Sequence, residues 1–171
     1  MFKSNYNWLP DFVYGSIDGI ITTFAVVSAV EGGALPVVII LIMGFANLFA
    51  DGFSMAAGKY LSDKAELDQD TEHHSKINPV LGAWSTFIAF IILGAVPLIA
   101  YVIQPWLQLT SSVTFRLACI LTLLALFFVG FLKGYFVKQN RFYAGFKTMM
   151  IGAMAAGISY GIGFYIESLV S

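Results

Sequence analysis

Residues 80–103 read VLGAWSTFIAFIILGAVPLIAYVI, an apolar run without a charged side chain. A helix that crosses the hydrocarbon core of a bilayer needs about 20 predominantly apolar residues, and this run is long enough. Its apolar residues follow one another instead of alternating with polar ones, which disfavours a strand of a transmembrane β-barrel. The run therefore predicts a transmembrane helix.

Four further apolar runs have comparable length. In the first of them, residues 12–30, the only charged side chain is Asp18. Because Asp11 and Asp18 break the continuous apolar region that a signal peptide needs, we expect the first run to span the membrane as well. The sequence thus predicts an all-α integral membrane protein with five transmembrane helices in a single domain, residues 1–171. The predicted spans are 11–30, 37–61, 80–103, 113–136 and 147–168.

The composition of the whole chain supports this class and excludes others. Apolar residues make up 58% of the chain and charged residues 11%, and the mean hydropathy is +0.81. Soluble domains have roughly 45–50% apolar and about 25% charged residues, so a disordered protein and a coiled coil are excluded. Cys119 is the single cysteine, which excludes a scaffold of intrachain disulfides. Nine basic against ten acidic residues leave no positive excess for binding a nucleic acid.

The positive charges predict the orientation of the spans, because Lys and Arg are enriched in the cytosolic segments of membrane proteins. If the N-terminus is cytosolic, only Arg116 falls on the opposite side. We therefore expect a cytosolic N-terminus and a C-terminus outside the cytosol. The basic residues predicted to be cytosolic are Lys3, Lys59, Lys64, Lys76, Lys133, Lys138, Arg141 and Lys147.

The predicted cytosolic loop 62–79 is acidic. It contains five carboxylates, two histidines and two lysines. It is either a solvated linker or, if it is helical, a face that gathers cations. The pattern alone leaves both interpretations open.

Two aspartates lie inside predicted membrane spans, Asp18 in the first and Asp51 near the middle of the second. An aspartate at the centre of a transmembrane helix costs about 2.5–3.5 kcal/mol on insertion scales. Such groups face a cavity, a partner or an ion pathway, so both are candidate functional residues. The alternative is that they are packing carboxylates, satisfied by hydroxyl groups or by a salt bridge to Lys59 or Lys133.

A stripe of possible metal ligands follows the second span. Because its members are four residues apart, they lie on one side of the helix. Soft thioether sulfur combined with hard carboxylate and amide oxygen suits a first-row divalent ion such as Fe²⁺ better than Mg²⁺ or Ca²⁺. Counting the helical rise from the span ends gives Asp18 and Met55 a similar depth, although a methionine row in a membrane helix is commonly a packing feature. The candidate metal ligands are Asp18, Met55, Asp51, Asn47 and Met43.

Two segments of the chain resemble the vacuolar iron transporter family. They are PDFVYGSIDGIITTFA at residues 10–25 and ADGFSMAAGKY at residues 50–60. The resemblance implies a homodimer of five-helix protomers with the pathway between the two first helices. It also implies export of Fe²⁺, and often Mn²⁺, from the cytosol in exchange for protons. The first-helix aspartate of the family falls on Asp18, and the second-helix methionine falls on Met55.

One departure from the family pattern concerns the loop 62–79. Well-studied members carry a long, metal-binding helical insert after the second span, so this chain resembles an insert-free branch. We expect a homodimer for a second reason as well, since five short spans enclose little space.

No catalytic motif is present in the sequence, so we expect a transporter that is not an enzyme. It would bind no cofactor, with Fe²⁺ or Mn²⁺ as its transported substrate, and would lie in the cell membrane, or in the vacuolar membrane of a eukaryote. A metal-permeable channel and a non-transporting structural subunit are the alternatives.

Overall fold

The computed structural model of the chain describes residues 7–69 and 77–170. All regular secondary structure in these residues is helical. The six helices are α1 (Leu9–Gly32), α2 (Val37–Gln69), α3 (Pro79–Gly94), α4 (Val96–Leu107), α5 (Ser111–Phe136) and α6 (Arg141–Val170).

Five helical segments are long and apolar enough to cross a membrane, because α3 and α4 together form one segment, Pro79–Leu107. The short break between them falls at Ala95, two residues before Pro97. Proline has no amide hydrogen and its ring clashes with the preceding turn, which accounts for the interruption. The prediction of an all-helical protein with five spans is confirmed at this level.

Helix α2 continues beyond its predicted end at residue 61 as far as Gln69. The first part of the predicted loop 62–79 is therefore helical. A pair of i,i+4 contacts, Lys59 to Asp63 and Lys64 to Asp68, supports this extension. Residues 70–76 of the same loop, with both histidines, lie outside the described residues.

Helix α1 lies at the centre of the bundle, in contact with α2, α3, α5 and α6. Its backbone comes very close to α3 at two glycines. A Cβ atom on Gly15 would lie 2.5 Å from the carbonyl oxygen of Thr86, and one on Gly19 would lie 2.6 Å from that of Phe90. Only glycine permits such an approach of two helix backbones. These contacts determine the position of α1 along α3.

Helices α2 and α6 cover α1 from other sides and are themselves poorly covered. In the most apolar window of α1, 50% of the residues are buried, against 22% for α2 and 11% for α6. The exposed side chains of the outer helices are mostly large and apolar, for example Phe49 and Phe53 on α2 and Phe164 on α6. A surface of this kind suits a lipid environment or a second membrane helix.

Candidate functional site

The two membrane aspartates lie at the same depth in the bundle. Gly19 of α1 lies against the backbone of Phe90 of α3, and Gly52 of α2 lies against the side chain of the same residue. Asp18 and Asp51 each precede one of these glycines in the chain. The two carboxyl groups are close enough to interact electrostatically. Packing around Phe90 therefore brings together two like charges from different helices.

Neither of these carboxylates has a cationic partner among the described residues. Asp18 is half-buried, and its backbone carbonyl accepts a hydrogen bond from the Thr22 hydroxyl at 2.9 Å, while its carboxylate accepts none from residues 7–69 and 77–170. Asp51 is exposed on the face of α2 and accepts one hydrogen bond, from Asn47 Nδ2 to Asp51 Oδ2 at 3.4 Å. The site thus carries two carboxylates and one amide, with no neutralising charge in the described part of the chain.

The two methionines of the predicted stripe lie on either side of this pair. Met55, one turn from Asp51, is half-buried and packs against the apolar cluster that contains Leu48 and Phe90. Met43, two turns from Asp51 in the other direction, is 48% exposed and lines a cavity of about 530 Å³ between α1, α2 and α6. Counting residues from the span ends gave Met55 a depth similar to that of Asp18. The packing at Phe90 brings Asp51 to the level of Asp18, and Met55 lies four residues, about 6 Å, farther along α2.

Lys59 does not pair with the membrane aspartates that the sequence suggested as its partners. Its Nζ lies 3.1 Å from Asp11 Oδ1 and 2.6 Å from Asp63 Oδ1. The two aspartates are 9% and 3% exposed. Lys59 consequently forms a salt bridge with neither Asp18 nor Asp51, and it ties the first turn of α1 to the last part of α2.

Sequence reasoning missed the importance of this ion-pair cluster. Two spacings could have revealed it. Asp63 lies four residues after Lys59, and Asp11 lies seven residues before Asp18, which puts the two α1 aspartates on one helix face. Sequence reasoning also missed a contact at the opposite end of α1. There the Tyr101 hydroxyl donates a hydrogen bond to Glu31 Oε1 at 2.7 Å, which ties α1 to α4.

Larger clusters of metal-binding side chains are absent from the described residues. Within residues 7–69 and 77–170, no three His, Cys, Asp or Glu side chains converge. The ligand atoms offered by the site around Phe90 therefore come from two carboxylates, the amide oxygen of Asn47 and the nearby thioether of Met55.

Comparison with known proteins places the chain in a family. The model of the VIT family matches residues 9–76 and 64–164. A Toxoplasma gondii protein named vacuolar iron transporter is 25% identical over an alignment 233 residues long. The alignment covers 98% of this chain and 77% of the relative. Rice vacuolar iron transporter 2 is 24% identical over 219 residues, covering 93% and 87% of the two chains. Eucalyptus grandis vacuolar iron transporter 1 is 26% identical over 218 residues, covering 92% and 86%.

The match is not confined to the polar site. The two matched segments run from the start of α1 to residue 164 in α6, so they include α1 to α5, most of α6, the carboxylates at Phe90 and the ion-pair cluster at Lys59. The chain belongs to the VIT family.

Proposed function

We propose that the protein exports a divalent transition metal, Fe²⁺ and also Mn²⁺, from the cytosol in exchange for protons. The observation that carries the proposal is the pair Asp18 and Asp51, two interacting carboxyl groups without a cationic partner in the described chain. Charges in such a position are costly unless they face a partner or an ion pathway. The relatives named as vacuolar iron transporters support iron as the metal.

Two carboxylates at one depth provide the chemistry of exchange. When both are ionised they repel each other, and a bound divalent cation relieves this repulsion. A proton relieves it as well, and a protonated carboxyl group loses its Coulomb attraction for the metal. Metal and proton therefore compete for Asp18, and protonation from the far side of the membrane releases the metal there.

The neighbouring donors favour a transition metal. Asn47 uses its amide nitrogen toward Asp51, which leaves the amide oxygen as a ligand. The thioether of Met55 lies one turn nearer the N-terminal end of α1, and that of Met43 lies near the other end of the bundle. Sulfur adds little for Mg²⁺ or Ca²⁺, whereas mixed oxygen and sulfur donors suit a softer first-row ion.

A second copy of the chain completes the pathway in this proposal. The face of α1 that bears Tyr14 and Asp18 is incompletely covered by the other helices, and α2 and α6 leave most of their surfaces free. Two such faces apposed in a homodimer would bring Asp18 near its counterpart in the partner. The N-terminus is cytosolic in this arrangement, in the cell membrane or in a vacuolar membrane, as the basic residues indicate.

A flux assay in proteoliposomes tests the function. Fe²⁺, Mn²⁺, Co²⁺ and Zn²⁺ are offered separately, with and without a pH difference, while a dye reports the internal pH. We expect Fe²⁺ and Mn²⁺ uptake to increase when the interior is acidic, and uptake to raise the internal pH as protons leave.

Two results would contradict this proposal. Metal flux that is indifferent to the pH difference would identify a channel, because a channel needs no counter-proton. If neither Asp18→Asn nor Asp51→Asn altered the flux and both lowered the folded yield, the carboxylates would be structural.

A further inference from the structure

We propose that Asp11 of α1 and Asp63 of α2 form a loading site for a divalent cation, in which the Lys59 ammonium is the cation that the metal displaces. The inference rests on the proposed transport of divalent metal and adds a second site to the pathway. The loading site lies at the end of the bundle where α1 begins, which the proposed orientation places in the cytosol.

In the ion-pair cluster one ammonium is shared by two carboxylates. Lys59 Nζ contacts one oxygen of each aspartate, Oδ1 in both cases. The second oxygen of Asp63, Oδ2, is buried and has no hydrogen-bond partner among the described residues. A buried carboxylate oxygen without a partner is costly. A divalent cation in place of the ammonium would balance both carboxylates and would use this free oxygen as a ligand.

The loading site is aligned with the carboxylate pair at Phe90. On α1, Asp11 lies seven residues before Asp18, about 10 Å along the helix. On α2, Lys59 lies eight residues after Asp51, about 12 Å along that helix. Asp11 and Lys59 therefore form one level of the α1–α2 contact, and Asp18 and Asp51 form the other. The distance between the two levels is similar on both helices.

Between these two levels, α2 carries the thioether of Met55. Met55 lies four residues from Asp51 and four from Lys59, so its sulfur is halfway along the row. A metal that leaves the loading site would meet this thioether before the carboxylate pair.

The chemistry of lysine makes displacement feasible. The ammonium is a compact charge on a flexible four-carbon stem, and the Lys59 side chain is already 28% exposed. It can leave its carboxylates for water without moving the backbone. As long as it stays, it neutralises one carboxylate and keeps out cations that cannot compete with it. Lys59 therefore sets the metal concentration at which the site loads.

The same helix supplies a matched control. Lys64 Nζ lies 2.8 Å from Asp68 Oδ1 with the same i,i+4 spacing, but the two side chains are 53% and 62% exposed. Among the described residues this pair has no second carboxylate, and it is not buried. Lys59→Met and Lys64→Met therefore remove the same charge from two ion pairs that differ in environment.

The first experiment measures Mn²⁺ binding by calorimetry to the purified full chain in detergent. The background is Asp18→Asn with Asp51→Asn, so that the pair at Phe90 does not contribute. We expect Lys59→Met to raise the Mn²⁺ affinity at least tenfold, added Asp63→Asn to abolish the gain, and Lys64→Met to leave the affinity unchanged. Equal affinities with and without Lys59 would overturn the proposal.

A second measurement uses the unmodified protein and so does not depend on the folding of a variant. An amine-acetylating reagent is applied with and without Mn²⁺, and mass spectrometry follows Lys59 and Lys64. Mn²⁺ should increase the acetylation rate of Lys59 several-fold and leave that of Lys64 unchanged. A Lys59 rate that Mn²⁺ does not alter would show that the ammonium is not displaced. Both measurements report binding, so they give their answer whether or not the liposome assay detects proton exchange.

Discussion

The two sides of α1 that face α3 and α2 are built in different ways. Toward α3, Gly15 and Gly19 bring the backbones almost into contact. Toward α2, the contacts run through long or charged side chains, with Asp11 against Lys59 at one level and Asp18 near Asp51 at the other. Backbone contact cannot adjust without moving a whole helix, whereas a lysine or a carboxylate can change partner by a rotamer change. The comparison indicates that α3 holds α1 in place while the α1–α2 surface carries the exchangeable charges.

Asp18→Asn gives the sharpest test of the α1–α2 side and the largest expected effect. The amide has nearly the same shape but binds neither a proton nor a metal as a carboxylate does, so pH-driven Fe²⁺ uptake into proteoliposomes should fall to the level of empty liposomes. The melting temperature in detergent should change little, because the carboxylate makes no described hydrogen bond that the variant would lose. Full transport by this variant would refute proton exchange at Asp18.

Gly19→Ala tests the α1–α3 side, and its effect should be on stability. Its new Cβ would lie 2.6 Å from the Phe90 carbonyl oxygen, and overpacking of this kind costs about 1–3 kcal/mol. The control is Gly161→Ala on α6, where a Cβ would have no neighbour within 4 Å in the described chain. Thermal unfolding in detergent should show a lower melting temperature for the first variant only. Equal melting temperatures would mean that the close approach does not hold α1 in place.

Met55→Leu is a further test of the α1–α2 side, and it has the smallest expected effect. Leucine has a similar volume, so packing against the apolar cluster should be kept, while the thioether is lost. We expect the preference for Fe²⁺ over Mn²⁺ in the liposome assay to fall several-fold, with most of the total transport retained. An unchanged preference would assign Met55 to packing alone.

The local part of the architecture could be predicted from the sequence. Five spans follow from the length of the apolar runs, because hydrocarbon thickness sets the length of a helix that crosses it. The unusual positions of Asp18 and Asp51 are found in the same way, since a charge within an apolar run is visible in the sequence without a structure. The row of Met43, Asn47, Asp51 and Met55 needs only the helical repeat.

The partners of these residues could not be predicted in the same way. Counting residues from the span ends gave Asp18 and Met55 a similar depth, but it did not show that the contacts of Gly19 and Gly52 with Phe90 bring Asp51 near Asp18. The sequence also offered Lys59 as a candidate salt-bridge partner of the membrane aspartates, whereas the structure holds it between Asp11 and Asp63. The sequence leaves these pairings open because hydropathy limits helix length and does not determine the offset between two helices.

By itself the sequence determined that the chain crosses a membrane with five helices and that it keeps acidic groups inside the hydrocarbon region. Both properties follow from the order of residues along one helix and from the cost of charge in lipid. Only the tertiary structure decided that Asp18 faces Asp51 and that Lys59 is held between Asp11 and Asp63. Those pairings depend on how far one helix is displaced along another, and here α1 and α2 are both placed against Phe90 of α3, at Gly19 and Gly52.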